Sequence, residues 1–392
     1  MVFLFWTIAG YTASLKPFKQ MQFEDKTTFQ KSLSSSLVRR GFRLYLPPFA
    51  SVLMIGALTG AGMLEPAWHI KHDKIYGLKN FYQLPDKIVQ RQGGICWELW
   101  RALKASMSML DIFESGKSTA PEFYDSHLWC ISIQYKMAIL VCLVLLAASR
   151  LTSRYRPVFL AGVLLFGVFY CRSAAVTSHF AGVFLAEIDV RYSTRQQRLP
   201  SKCEPSEVLD RPISRWRWAL KGPLTTRLVH LTVFLFGCTV CSAATWEPEG
   251  QLIIGPIIKK YAYFFNTILG GSDNYIAIGA VLMTYSGIHC DLLHRFLGLF
   301  SYLGKVSYSF YLVHGVIHKL VVWPMLPRLY AFIGTAGPGS NHATTSGQVF
   351  VVWVTAIIIS LPLTIWVSDM FYRGIELQAS RLEFWVDRKI ST

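Results

Sequence analysis

The run Gln348-Val-Phe-Val-Val-Trp-Val-Thr-Ala-Ile-Ile-Ile-Ser-Leu-Pro-Leu-Thr-Ile-Trp-Val367 decides the fold class. It carries no charged side chain, and as a helix rising about 1.5 Å per residue it matches the ~30 Å hydrocarbon core of a bilayer. Inside that layer no water satisfies the backbone, so such a segment must bond to itself as a helix. Working outward, comparable apolar stretches occur at about 1–15, 44–63, 128–148, 157–171, 176–190, 228–246, 273–289 and 297–322. Those at 1–15, 157–171 and 176–190 fall short of the ~17 residues a span needs, so each requires tilt, flanking residues or a break. The composition agrees: of 392 residues 52% are hydrophobic and 16% charged, against about 25% charged in soluble chains. Mean hydropathy is +0.35. The expectation is an all-α polytopic membrane bundle of about nine spans, one transmembrane domain over residues 1–392, and a soluble protein is excluded.

The formal net charge of +16 could signal a nucleic-acid partner, but its distribution argues otherwise. Segment 16–43 holds seven basic and two acidic residues, and 191–227 holds nine basic and three acidic ones. The short segment 149–156 holds Arg150, Arg154 and Arg156. The intervening 64–127 is balanced at eight and eight, and 247–272 and 323–347 are nearly neutral. This alternation follows the positive-inside rule: basic segments, including the 191–227 loop, face the cytosol, and the 64–127 loop lies on the other side. The charge is topological, no aromatic-basic platform accompanies it, and no nucleic-acid partner is expected. The lipid bilayer is the expected partner. The same rule places Met1 on the non-cytosolic side with no cleavable signal, which requires either a short reverse anchor or a further helix upstream.

Most of the eight cysteines, including Cys142, Cys171, Cys238 and Cys241, lie in apolar spans and form no disulfide framework. Cys238-Thr-Val-Cys241 has redox spacing but lies in a span, where small-residue packing is the expected role. Cys96 and Cys130 make the one plausible luminal pair.

Three constellations could carry chemistry. Within the 297–322 span lies Gly304-Lys-Val-Ser-Tyr-Ser-Phe-Tyr-Leu-Val-His-Gly-Val-Ile-His318, where Gly304, Ser307, Tyr311, His314 and His318 step by three or four residues along one face. A polar stripe in lipid must face protein or a wet cavity, so it is either helix-helix glue or a cavity wall. As a set it points to a cavity wall. His314 and His318 have zinc-like spacing, but Gly315 stands where a metalloprotease has Glu and no third ligand is evident, so no metal is expected. The second constellation, Asp125-Ser-His-Leu-Trp-Cys-Ile-Ser-Ile-Gln-Tyr-Lys136, enters the membrane from the non-cytosolic side. Lys136 needs a partner or an interface. Gln134 and Lys136 point about 200° apart on a helix. His127 can be a base or an interfacial residue. The third is Arg39-Arg-Gly-Phe-Arg43, followed by Leu-Tyr-Leu-Pro47-Pro48 at a cytosolic helix entrance. These arginines are either topology anchors or guanidinium forks for a phosphorylated donor such as coenzyme A. Glu187, Asp189 and Arg172 need neighbours that sequence does not identify.

Taken together these residues resemble the acyltransferase 3 family of multi-span membrane acyltransferases, in particular its fungal branch. Phe5-Trp-Thr-Ile-Ala-Gly10-Tyr11 is similar to the family's Phe-rich segment ending in Ser-Gly-Tyr, with Ala9 for Ser. Arg39 to Pro47 resembles its Arg-Arg-x-x-Arg-Leu-x-x-Pro entrance. His127-Leu-Trp-Cys-Ile-Ser-Ile-Gln-Tyr-Lys136 resembles its His-Leu-Trp-Thr-Ile-Pro-x-Glu-Phe-Arg/Lys run, and Gly304 to His314 its Gly-Lys-x-Ser-Tyr-x-x-Tyr-Leu-x-His run. The match follows family order over nearly the whole chain. It departs at Gln134, where the family has Glu, and members typically begin with one further helix carrying an Arg and the catalytic His.

The resemblance implies an acyltransferase of the class transferring groups other than aminoacyl groups. An acyl group, commonly acetyl, passes from acyl-CoA to a hydroxyl. No permanently bound cofactor is implied; acyl-CoA is a co-substrate. Arg39, Arg40 and Arg43 would hold its phosphates. Gln134, Lys136, Ser307, Tyr308 and Tyr311 would line the substrate cavity. His314 is the candidate base or orienter, with His127 the alternative. The expected acceptor is a small-molecule hydroxyl, in fungi a secondary metabolite, the default location the endoplasmic reticulum membrane, and other enzymes of the same pathway are possible partners. A decayed or truncated paralogue, or a transporter of the same fold, is the rival expectation.

Overall fold

The structure, a computed structural model, describes residues 2–23, 26–72, 88–110, 124–197, 224–243, 274–290, 298, 300–333 and 346–391. Among these residues the chain is all-helical and no strand occurs. The helices are α1 (Val2–Phe23), α2 (Lys26–Gly60), α3 (Glu65–His72), α4 (Ile95–Ser108), α5 (Trp129–Arg150), α6 (Arg156–Phe166), α7 (Ala174–Gln197), α8 (Leu224–Ala243), α9 (Asn274–His289), α10 (Ser301–Ile317), α11 (Trp323–Phe332), α12 (Ser346–Phe371) and α13 (Leu377–Ser391). A short 3-10 turn occupies Ser126–Leu128, and wide π turns occupy Gly167–Cys171, His318–Val322 and Tyr372–Glu376.

Four stretches among the described residues are long and apolar enough to cross a membrane: Thr28–Gly60, Trp129–Arg150, Ser301–Phe332 and Gly347–Lys389. Arg156–Cys171 and Arg227–Cys241 are shorter apolar helices. The sequence reading expects about nine spans. The difference has identifiable sources: α9 has 16 residues, fewer than the ~17 a span needs, and α7 carries Glu187, Asp189 and Arg191 near its end. Helices also run past the apolar stretches that signal them. Most of 16–43 and the start of 323–347, read as connections, are helical in α1, α2 and α11. Most of the basic 191–227 loop, all of 247–272 and parts of 64–127 lie outside the described residues.

The outer faces are apolar. Leu143 on α5 and Phe350, Ile358 and Trp366 on α12 are each more than half exposed. Soluble proteins rarely leave contiguous apolar faces open, whereas lipid solvates them.

The described chain forms two compact units, one of residues 1–37 and 136–300, the other of 38–135 and 301–392. In the first, α1 and α7 touch through their backbones. A Cβ on Gly10 would stand 2.1 Å from the His179 carbonyl oxygen, and one on Gly182 2.1 Å from that of Thr7. Small residues admit this contact, as is usual where helices pack in lipid. Likewise Gly237 of α8 meets Gly279 of α9, beside Cys241. The same unit supplies partners for the acids left open by sequence. Asp189 accepts from Tyr11 Oη at 2.6 Å and lies 3.0 Å from His289 Nε2. Glu187 pairs with Arg191 at 2.7 Å and Arg156 at 3.7 Å.

In the second unit α2 packs on α10. Ser51 Oγ donates to the Leu312 carbonyl at 3.1 Å, and Tyr308 Oη to that of Leu44 at 3.0 Å. A core of Ala67, Ile70, Ile88, Trp323, Leu326 and Val352 joins α3, α11 and α12. The α2 contacts hold the middle of α10, which forms one wall of the group described next.

Candidate active site

Asp125 opens the 3-10 turn before α5. Its carboxylate accepts the His127 backbone N–H at 3.0 Å, and the same oxygen lies 2.8 Å from His127 Nδ1. A carboxylate only accepts, so Nδ1 carries the hydrogen and Nε2 keeps the lone pair that can take a proton. Asp125 is wholly buried while the His127 side chain is about a third exposed. Burial pushes the Asp125 carboxyl up, but the hydrogen bonds from His127 and the positive charge of Lys319 outweigh it and hold it below its ordinary value.

α10 supplies the opposite wall. The His314 ring lies 4.4 Å, centroid to centroid, from that of His127. Its Nδ1 sits 2.7 Å from the Tyr311 carbonyl oxygen and must donate to it, which again leaves Nε2 as the basic nitrogen. Tyr311 Oη donates to the His127 carbonyl oxygen. That hydrogen being committed, the Cys130 thiol donates to Tyr311 Oη across 3.0 Å. Gly315 makes the packing fit: a Cβ there would stand 3.3 Å from both Asp125 carboxylate oxygens. One turn later Lys319, 1% exposed, donates from Nζ to the Tyr124 carbonyl at 2.7 Å.

The structure therefore brings His127, Tyr311 and His314 together, with the His318 ring 6.0 Å from that of His314. Ser307 is not in this group; it is exposed and bonds to the Gly304 carbonyl. Tyr308 reaches α2, Gln134 is buried in α5, and Lys136 is half-buried. Cys130 is committed to Tyr311, and Cys96 and Cys130 are both free thiols, so the pairing considered from sequence does not form. From sequence Asp125 opens the second constellation without a role of its own, and Lys319 is not singled out. A signal existed for Lys319, since a charge within an apolar segment demands a reason.

The arginines form a second cluster in the same unit. Arg39 lies 3.6 Å from Asp387 and under the Phe384 ring, and Arg43 lies 3.9 Å from Glu376. Glu376, nearly buried, also accepts from Ser309 Oγ at 2.6 Å. Arg40 is half-buried and Arg43 more than half exposed.

Among known proteins the chain is similar to O-acetyltransferase PaAT-1 of Phomopsis amygdali, 23% identical over 414 residues, covering 99% of this chain and 74% of that protein. It is similar to Acyltransferase R4 of Phoma sp., 25% identical over 329 residues, and to Acyltransferase clz18 of Cochliobolus lunatus, 23% identical over 327. These two alignments each cover 80% of this chain and 66% of the relative, so the chain spans just under two thirds of their length. No protein-family model matches, and no solved structure does. The chain is thus a distant relative of fungal acyltransferases, whose names support a transferase role.

Proposed function

We propose that the protein is a membrane-embedded O-acyltransferase that moves an acyl group, acetyl in the simplest case, from acyl-CoA to a hydroxyl of a small molecule. The observation that carries this reading is the Asp125–His127 pair with His314 beside it. Asp125 fixes the His127 tautomer, so Nε2 is the nitrogen able to take the acceptor's hydroxyl proton. The oxygen attacks the thioester carbon, the carbon–sulfur bond breaks, and the departing CoA thiolate takes the proton back from the imidazolium. The Asp125 contact favours His127 as the base, with His314 its neighbour in the same wall. Tyr311, whose hydroxyl bonds to the His127 carbonyl, holds α10 against the turn.

Arg39, Arg40 and Arg43 are the groups suited to the CoA phosphates. Asp387 and Glu376 hold two of them, so phosphates binding there would compete with these carboxylates. The names of the fungal relatives support the acyl chemistry, and the exposed apolar faces support a bilayer setting. A secondary-metabolite hydroxyl as acceptor, pathway enzymes as partners and the endoplasmic reticulum as location extend the reading.

The test is label transfer from radiolabelled acetyl-CoA to a panel of hydroxylated small molecules by the detergent-purified protein. Label should appear on an acceptor and fall by about 10²–10⁴-fold in His127→Ala. Equal labelling by that variant would overturn the assignment of the base.

A further inference from the structure

Lys319 is a fully buried ammonium for which the chemistry above has no use. We infer that it is a positioning residue: its charge keeps the Asp125 carboxylate ionised and so keeps His127 in the tautomer of a base. This rests on the reading of His127 as the base.

Three observations converge on it. Asp125 and Lys319 are 0% and 1% exposed, and an isolated charge of either sign is costly to bury. Lys319 lies in the π turn His318–Val322, a local widening of the helix that often marks functional positions. Its Nζ reaches the carbonyl of Tyr124, the residue just before Asp125, while Gly315, one turn earlier on the same helix face, lies against the Asp125 carboxylate. The lysine is therefore anchored beside the acid rather than pointing to an interface. Without its charge, a buried Asp125 would tend to take up a proton. As a neutral acid it would no longer be an acceptor only, and its hold on His127 Nδ1–H would weaken.

The other titratable groups facing this pair are His314, His318 and Tyr311 along α10 and its π turn, Cys130 on α5, and Tyr124. Glu98 and Arg101 of α4 act on Tyr124 and are paired with each other at 2.9 Å. None is altered by substituting Lys319. If Lys319 were only a donor to the Tyr124 carbonyl, a neutral donor would serve as well.

Diethyl pyrocarbonate separates the two roles because it modifies only unprotonated imidazole. The partly exposed His127 is within its reach. Its modification would be followed against pH by mass spectrometry of the His127 peptide, using the full chain in detergent. In Lys319→Gln a neutral Asp125 no longer stabilises the imidazolium, so the midpoint should move down by about one unit. In Lys319→Arg it should stay in place. A midpoint in Lys319→Gln that stays in place or moves up, or an equal fall in Lys319→Arg, would overturn the inference. Should Lys319→Gln fail to fold, Asp125→Asn combined with it removes both charges and should restore a monodisperse protein; no recovery counts against the pairing. His127→Ala in the label-transfer assay keeps the readings separable. Normal transfer by that variant would defeat the proposed chemistry while leaving the titration result standing.

Discussion

A methyl group on Gly315 would stand 3.3 Å from each oxygen of the Asp125 carboxylate, closer than ordinary contact. Gly315→Ala should therefore push the carboxylate by a few tenths of an ångström and misalign His127. We expect acyl transfer to fall about tenfold, the scale at which small displacements of catalytic groups register. The melting temperature should change little, and comparing rate with melting separates misalignment from unfolding. Asp125 also gives a pH dependence. Its folded-state carboxyl is held below the ordinary value, so it contributes stability above about pH 4, the unfolded aspartate range, and loses it as pH falls through the folded value. Melting curves of the native protein and Asp125→Asn should differ at pH 6 and converge in acid. Much of this site is legible in sequence: His314 and Tyr311 follow from helical spacing, and His127 from its place before a span. Asp125 is not, because an acid two residues before a histidine is an ordinary turn feature until α10 closes over it. Lys319 is hidden for a related reason, since its partner lies in a turn far away in the chain.

At the scale of elements, the middle of α2 and the C-terminal segment present opposite charges. Arg39 and Arg43 are one turn apart on α2, and they meet Asp387 and Glu376. Sequence shows the arginines but not their acids, because the pairing depends on how the chain returns after α12. If the CoA phosphates use the same guanidinium groups, Asp387→Asn should lower the KM for acyl-CoA and Arg39→Ala should raise it, with kcat little altered in either. Steady-state kinetics with varied acetyl-CoA checks this, and an unchanged KM in both would remove the arginines from donor binding. Helix extents show another limit of sequence. Hydropathy finds the apolar part of each helix, but backbone hydrogen bonding continues through polar residues, as in the first turns of α2.

For the whole molecule, the apolar outer faces of α5 and α12 make a direct statement about solvent. Their exposed leucine, isoleucine, phenylalanine and tryptophan side chains would cause association in water. The expressed protein should stay in the membrane pellet after alkaline carbonate and be released by detergent; recovery in the carbonate supernatant would argue against spanning helices. The all-helical fold is legible from composition and apolar runs because lipid leaves the backbone no other choice among unclosed segments. The number of spans is less so. Short or charged helices such as α9 and α7 owe their place to partners, and those partners are invisible to a hydropathy scan.

The most direct measurement of the central claim is single-turnover release of CoA thiol from acetyl-CoA by the purified protein with a saturating hydroxyl acceptor, native beside His127→Ala and Asp125→Asn. A base fixed by a carboxylate requires release coupled to acceptor acylation, a loss of about 10²–10⁴-fold in His127→Ala, and a smaller loss in Asp125→Asn. Undiminished acylation in His127→Ala would contradict it.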